Sequence, residues 1–334
     1  MTEERLAELG IWRIPVPVPF VQAGGPVNVY LLEEEDGGLC LFDAGLGSPE
    51  AAAALEEGFR RLGRRFEEVR RIVVSHGHVD HYGNAQAVVE RAGGAVPVFA
   101  HAADIDKLAA SGPPWRERMA HYGALFVRLG VPDEVLAVLA EEGGRGQKLA
   151  RRVHEVRAIG EGARLRLRHF EGELLHMPGH TPGLLCLWIP EHRVFLADDH
   201  LLEKISPNPI IELGPDGEEG FFQPLVAYLR SVVRLRDLDV ETVLPGHGPP
   251  FGGHRQVIDD LLSFYGKRQA RILDLLAGGP RTAYQIVAEL FPRSRPGDTF
   301  LTLSEVLANL EVMEARGQLR RLPEVLPYRF CLPS

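Results

Sequence analysis

Short apolar runs separated by glycine-, proline- and acid-rich turns fill the first hundred residues. Ile11 to Val18 reads as an extended, proline-broken segment. Val27 to Leu32 and Leu39 to Phe42 flank an acidic, glycine-bearing turn, the pattern of a hairpin. Ser48 followed by Pro49 signals the start of an alanine- and leucine-rich helix that reaches Leu62. Ile72 to Val74 reads as a buried strand, Asn84 to Ala92 as a helix ended by Gly93-Gly94, and Val96 to Ala100 as another strand. From Ala102 to about Val153 strand character disappears. Helical pieces there are broken at Gly112-Pro113-Pro114, Gly130-Val131-Pro132 and Gly143-Gly144. Strands return at Arg164 to Phe170, Glu173 to Met177, Leu184 to Ile189 and Val194 to Ala197. Leu225 to Leu235 is helical and Val240 to Leu244 is a last core strand.

After Gly252-Gly253 the composition changes. Arg255 to Leu276 reads as a long helix, Thr282 to Leu290 and Ser304 to Arg316 as two more, and Gln318 to Leu322 with Tyr328 to Leu332 as a ribbon. Three helices then a hairpin is the order of a winged helix-turn-helix. The pattern therefore predicts an α+β protein with two parts. Residues 1–254 form the main domain, with a helical cap inserted at about 102–155, and residues 255–334 form a linker helix and a winged-helix-like unit.

Composition narrows the class. Of 334 residues, 45% are hydrophobic and 25% charged, which excludes a disordered chain and predicts a folded, soluble one. The net charge of −9 argues against a generic polyanion binder. The stretch from Leu262 onward is mildly basic, with ten Lys or Arg against seven Asp or Glu. No 18-residue apolar window and no apolar run after Met1-Thr2-Glu3-Glu4-Arg5 predict neither a membrane span nor a signal peptide. Cys40, Cys186 and Cys331 are isolated in apolar stretches, read as buried thiols, and favour a reducing cytoplasm.

The chemistry concentrates in His76-Gly77-His78-Val79-Asp80-His81, three imidazoles and a carboxylate directly after a buried strand. Imidazole nitrogen with carboxylate oxygen suits Zn²⁺, Fe or Mn²⁺ rather than Ca²⁺. In an extended loop His76 and His78 point the same way and can grip one metal, while Asp80 and His81 begin the next helix and can face a second. Gly77 is read as allowing a tight or left-handed backbone at the bend. His180 (in Pro178-Gly179-His180-Thr181-Pro182-Gly183), Asp199 (after an apolar run) and His247 (in Pro245-Gly246-His247-Gly248-Pro249) each lie where a strand gives way to a loop.

HxHxDH, then GHTPG, then an aspartate after an apolar strand, then PGHG, resembles the metallo-β-lactamase superfamily over roughly Val27 to Gly248. The resemblance implies a four-layer αββα sandwich with the site at one edge. It also implies that His76, His78 and His180 bind one metal, that Asp80, His81 and His247 bind another, and that Asp199 bridges them. Asp198 then stands where the family usually has glycine. β-Lactamases proper commonly lack this bridging aspartate, so the set looks like the glyoxalase II type of binuclear hydrolase. Tyr265 to Leu276 followed by Gly279 to Val287 is similar to the winged-helix appendage of lactamase-beta-like hydrolases, a branch that includes thioesterases and endoribonucleases.

Two divalent cations about 3.5–4 Å apart, zinc foremost, would share a water and lower its pKa from about 15.7 towards roughly 7. Attack by the resulting hydroxide on a thioester, lactone or related carboxyl ester is the expected reaction, with Asp80 or a metal-bound water protonating the leaving group. The alternatives are a metal-dependent endoribonuclease on single-stranded RNA and, further off, a winged-helix nucleic-acid-binding regulator. The weak basicity of the tail, and Glu289, Glu305, Glu311 and Glu314 within it, speak against both. The tail is instead expected to pack on the core or to mediate homo-oligomerisation. Asp43 either orients an imidazole or caps a turn, Thr181 bonds locally in its turn, and His200 lines the pocket or is merely exposed. Lys107, Trp115, Arg116, Arg118 and Tyr122 of the insert, with Tyr82 and Lys204, are the candidates for substrate selection.

Overall fold

A computed structural model describes residues 1–19, 24–113, 115–213 and 221–333; the side chains of residues 115, 116, 142–145, 147 and 213 lie outside that description. The strands are β1 (Ile11–Val16), β2 (Val27–Glu33), β3 (Leu39–Phe42), β4 (Val69–Val73), β5 (Val98–Ala100), β6 (Val156–Ala158), β7 (Arg164–Arg166), β8 (Glu171–His176), β9 (Leu185–Ile189), β10 (Val194–Asp198), β11 (Glu212–Leu213), β12 (Phe221–Phe222), β13 (Thr242–Pro245), β14 (Arg320–Leu322) and β15 (Arg329–Cys331). The helices are α1 (Glu3–Glu8), α2 (Pro49–Arg61), α3 (Val79–Tyr82), α4 (Ala85–Arg91), α5 (Ile105–Leu108), α6 (Trp115–Arg128), α7 (Asp133–Gln147), α8 (Pro224–Asp237), α9 (His254–Ala277), α10 (Ala283–Leu290) and α11 (Thr299–Ala315).

Strands β1 to β6 form one sheet in sequence order, antiparallel through β3 and parallel from β3 to β6. The second sheet runs β13-β10-β9-β8-β7, with only the β10–β13 pair parallel. Strand β2 is buried along its whole length, because its alternating side chains enter two different cores. Val27, Val29 and Leu31 meet Leu55 and Phe59 of α2 and Val88 of α4. Tyr30 and Leu32 point the other way, into a layer shared with Leu174, Leu187, Ile189, Leu196 and Leu244 of the second sheet. In β3, Leu39 and Leu41 join the first layer, Cys40 and Phe42 the second. The result is an α+β sandwich with helices on the outer face of the first sheet. Ser48 caps α2 as expected, accepting from the Ala51 amide at 3.2 Å. The three cysteines are free and buried.

Cα packing divides the chain into two units. One comprises Met1–Gly112, Gly146–Pro207 and Ser231–Val257; the other comprises Pro113–Arg145, Asn208–Arg230 and Ile258–Ser334. The second unit therefore combines helices of the insert with the C-terminal segment. Phe126 and Leu129 share one core with Ile272, Ile286, Val306, Leu310 and Phe330. The Tyr284 and Tyr328 amides donate to the carbonyls of Leu129 and Arg128 at 3.1 and 2.7 Å. Apolar stripes on these helices are visible in sequence, but a stripe does not say what covers it. The break expected at Gly143-Gly144 does not occur: α7 continues to Gln147 although each glycine weakens a helix by about 1 kcal/mol, its earlier turns being anchored in a core by Val135 and Leu139. No described helix is long and apolar enough to cross a membrane.

Candidate metal centre

The C-terminal ends of the parallel strands converge. Strand β3 leads into Asp43, β4 leads through Ser75 into His76, β10 ends in Asp198 and is followed by Asp199, and β13 leads into His247. The turn between β8 and β9 adds His180. His78 stands at the N-cap of the short α3, which carries Asp80 and His81. All seven residues proposed from sequence are brought together. His76, His78 and His180 form one cluster, His76, His81, Asp198 and Asp199 a second, and Asp80, His81 and His247 a third.

In the first cluster, His78 Nδ1 lies 2.9 Å from both His76 Nε2 and His180 Nε2. Three ring nitrogens aimed at one point match the base of a tetrahedral metal site. Asp199 Oδ2 lies 3.4 Å from His180 Nε2, 3.5 Å from His81 Nε2 and 3.7 Å from His247 Nε2. Asp80 Oδ2 lies 3.5 Å from His247 Nε2. His81 Nε2 and Asp199 Oδ1 are buried with no hydrogen-bond partner. Leaving such atoms unpaired costs about 1–3 kcal/mol each, more when charged, and a cation beside His81 Nε2 would satisfy that nitrogen. The donor set therefore fits a pair of divalent cations.

Asp198 occupies a different place from Asp199. Its Oδ1 is 3.3 Å from Nδ1 of His76 and of His81, on the far side of each ring, and accepts from the Asp199 amide at 2.9 Å. Its backbone is left-handed, with φ 50°, which is the conformation glycine adopts freely. Asp43, with φ 61°, is the other left-handed aspartate here. Its carboxylate accepts from the Ser75 amide (2.7 Å) and hydroxyl (2.8 Å) and lies 3.0 Å from His81 Nδ1. Of the two readings of Asp43, the structure shows the one in which it orients an imidazole.

Charge follows this geometry. Burial works against a charged His81, yet Asp198, Asp199, Asp80 and Asp43 around it hold its pKa well above the ordinary value. Burial likewise opposes His247, and Asp199 and Asp80 push it up to about 9. Burial would raise Asp80 and Asp199, but His81 and His247 hold both below the usual carboxylate range. His76 is driven the other way, by burial and by the imidazoles of His81, His78 and His180. It is a neutral ring, the form that ligates.

Gly77 is not left-handed. Its lack of a side chain serves close packing: a β-carbon there would stand 2.6 Å from Lys107 Cδ. Thr181 bonds within its turn through its carbonyl, which accepts from the Gly179 amide at 3.1 Å, while its hydroxyl donates to Asp104 at 2.7 Å. His200 is fully buried, and burial next to His180 depresses its pKa to about 3. Among the candidates for substrate selection, Arg118 and Tyr122 are buried in the second unit and both reach Glu212 Oε2, at 3.3 and 3.2 Å. Lys107 is paired with Asp104, the Tyr82 hydroxyl donates to the Lys107 carbonyl at 3.3 Å, and Lys204 is exposed. The side chains of Trp115 and Arg116 lie outside the described residues. Sequence reasoning passed over Asn28, whose side-chain amide donates to the Pro245 and Gly248 carbonyls at 2.8 Å each and so holds the His247 loop from both sides. An asparagine inside an otherwise apolar buried strand was the signal available.

Residues 23–247 match the family model of the metallo-beta-lactamase superfamily. The chain is 31% identical over 312 residues to the probable metallo-hydrolase YqjP of Bacillus subtilis (strain 168), covering 90% of this chain and 91% of that protein. The crystal structure of a metallo-beta-lactamase family protein from Thermus thermophilus is similar with a TM-score of 0.79 at 31% identity, over 97% of this chain and 99% of that one. A shorter stretch of 107 residues is 31% identical to an acyl-coenzyme A thioesterase of Gallus gallus, 31% of this chain and 35% of that protein. With the histidine and aspartate clusters in place, the chain belongs to the metallo-β-lactamase superfamily and is a metal-dependent hydrolase with a candidate binuclear centre.

Proposed function

We propose that this hydrolase holds two divalent cations, zinc foremost, and cleaves a thioester, lactone or related carboxyl ester of a small or carrier-bound substrate. His76, His78 and His180 hold the first cation; Asp80, His81 and His247 hold the second; Asp199 bridges them. The observation that carries this reading is the position of Asp199 Oδ2, within 3.7 Å of imidazoles from both groups. The cations supply an activated water and Lewis-acid polarisation of the substrate carbonyl. The chain's own part is to aim and to shield. Asp43 and Asp198 fix the ring orientations of His81 and His76. Asp80, its side chain 13% exposed against 0% for His81, is ionised in the folded chain and would relay to the leaving group a proton taken first from the attacking water. Acyl-thioester chemistry is supported by the name of the matched thioesterase stretch.

The same reading takes the sandwich as four-layered and residues 255–334 as a winged-helix-like unit, with α9, α10 and α11 followed by the β14–β15 ribbon. That unit serves packing or self-association rather than RNA: Glu305 on α11 is paired with Arg268 at 2.8 Å, which takes one basic group from the tail. A cytoplasmic location accords with the three free thiols.

The test is metal analysis of the purified protein, then assays on thioesters, lactones, carboxyl esters, phosphodiesters and single-stranded RNA with and without chelator. Two equivalents of metal and chelator-sensitive cleavage of a thioester or lactone are expected. Cleavage confined to RNA, with steeply salt-dependent binding, would replace this reading with the ribonuclease one.

A further inference from the structure

Asp104 lies fully buried just beyond β5, between two loops of the metal centre. Its Oδ2 accepts from the Gly77 amide at 2.9 Å and from the Thr181 hydroxyl at 2.7 Å. Gly77 separates His76 from His78, and Thr181 follows His180. One carboxylate oxygen therefore ties together the two loops that supply the three-histidine cluster. Its other oxygen faces Lys107 Nζ at 3.1 Å, and Lys107 is itself only 9% exposed.

Two glycines make room for this pair. A β-carbon on Gly77 would meet Lys107 Cδ at 2.6 Å, and one on Gly183 would meet Asp104 Cγ at 2.8 Å. A glycine in each of the two histidine motifs is thus accounted for by the same buried ion pair. Such a pair gains little stability over apolar residues of the same volume, because desolvation offsets the Coulomb attraction. What it supplies is direction: a fixed acceptor for two donors from segments about a hundred residues apart.

We infer that Asp104 is a positioning residue for the three-histidine subsite, with Lys107 as its counter-charge, and that it sets the affinity of that subsite rather than of the one formed by Asp80, His81 and His247. The inference rests on the ligand assignment proposed above. Asp43 and Asp198 act on the imidazole rings; Asp104 acts on the separation of the loops that carry them.

The experiment titrates chelator-stripped protein with Co²⁺, followed by its visible absorption, and with Zn²⁺ in competition with a chromophoric chelator. Asp104→Asn, Thr181→Val, His180→Ala and His247→Ala are compared with the parent, and thermal unfolding is recorded for each. Loss of a ligand-orienting partner typically costs about 10- to 100-fold in metal affinity. Asp104→Asn is expected to weaken one of the two sites by that factor, the same site that His180→Ala removes, and to leave the site removed by His247→Ala within about 3-fold of the parent. Thr181→Val, which deletes one of the two tying bonds, moves the same site in the same direction and carries the test if Asp104→Asn does not fold. Two parent-like sites in the foldable variants, or equal weakening of both sites, would overturn the role of Asp104 while His180→Ala still showed a lost site. If His180→Ala and His247→Ala both kept two sites of parent affinity, the ligand assignment itself would fall.

Discussion

Gly246 leaves the space that the Asp199 carboxylate fills: a β-carbon on Gly246 would stand 2.2 Å from Asp199 Oδ1 and 3.2 Å from Asp198 Oδ1. The residue is not left-handed, so the requirement is for space and not for backbone freedom. Gly246→Ala must therefore push Asp199 out of its place between the imidazoles. Overpacking costs about 1–3 kcal/mol of stability, and the displaced carboxylate is the proposed bridge. The variant should fold, with a lowered melting temperature, and bind at least one equivalent of metal far more weakly than the parent. Metal analysis and calorimetry read both effects, and a variant with two tightly held metals would contradict the placement.

Asp198 and Asp199 are adjacent and both acidic, yet the structure gives them unequal roles. Without Asp198, His76 Nδ1 still has the Ser75 hydroxyl at 2.9 Å and His81 Nδ1 still has Asp43 at 3.0 Å. Asp80 Oδ2 also lies near His247 Nε2 (3.5 Å) and His81 Nε2 (3.9 Å), but among the described residues it is Asp199 Oδ2 that reaches His81, His180 and His247 together. Asp198→Gly also relieves a left-handed backbone at no steric cost. It is expected to retain two metals, with at most about a 10-fold fall in affinity, the low end of what orienting partners contribute. Asp199→Ala should lose one metal or both. The reverse pattern in equilibrium dialysis would make Asp198 the bridge.

How far the sequence shows this site depends on distance along the chain. His76 to His81 is a local cluster, and its meaning is visible in six letters. His180, Asp199 and His247 are visible only as residues at the ends of apolar runs, and they gain weight from one another. Asp104 has no such mark: it is one acid among many, and its bond to Thr181 spans 77 positions. Gly77 is conspicuous in sequence, but its reason is not, because a glycine demanded by a neighbouring lysine stem looks like one demanded by a turn. The helices and the long strands are readable from their periods, whereas β6, β11 and β12, of two or three residues each, are too short to show any. The shared core of Phe126 and Ile286 is hidden because amphipathic helices do not name their partners.

Asn28 offers a direct probe of the His247 loop. Its amide donates to the Pro245 and Gly248 carbonyls, and its own amide oxygen accepts from Arg13 Nη1 at 3.1 Å. The Tyr30 hydroxyl also donates to Pro245, at 2.7 Å. Asn28→Ala therefore removes this donor from the Gly248 carbonyl, which keeps Arg13 Nη1 at 3.4 Å, at a cost of about 0.5–1.5 kcal/mol. Asn28→Asp, nearly identical in shape, sets carboxylate oxygen against carbonyl oxygen and should be the worse of the two. Both should loosen His247 and reduce bound metal. Thermal unfolding in the order parent, Ala, Asp supports this account; an Asp variant as stable as the parent would refute it.

The second unit carries a pH dependence of its own. Glu311 on α11 is 7% exposed and its Oε2 has no hydrogen-bond partner. Burial, with Glu314 nearby and Arg321 only partly opposing, pushes its pKa up to about 8 from an ordinary 4.5. In the unfolded chain the same group ionises near 4.5, so between these values the folded state holds the extra proton. The contribution to stability is whole below pH 4.5 and is lost as pH rises through about 8. Glu311→Gln keeps the shape and removes the titration. The difference in melting temperature between variant and parent should grow in the variant's favour from about pH 5 to about pH 9, corresponding to a change on the order of 3 kcal/mol. Taking that difference cancels the other titrating groups, provided they do not touch Glu311. A difference that stays constant across the range would mean that Glu311 is ionised in the folded protein at neutral pH.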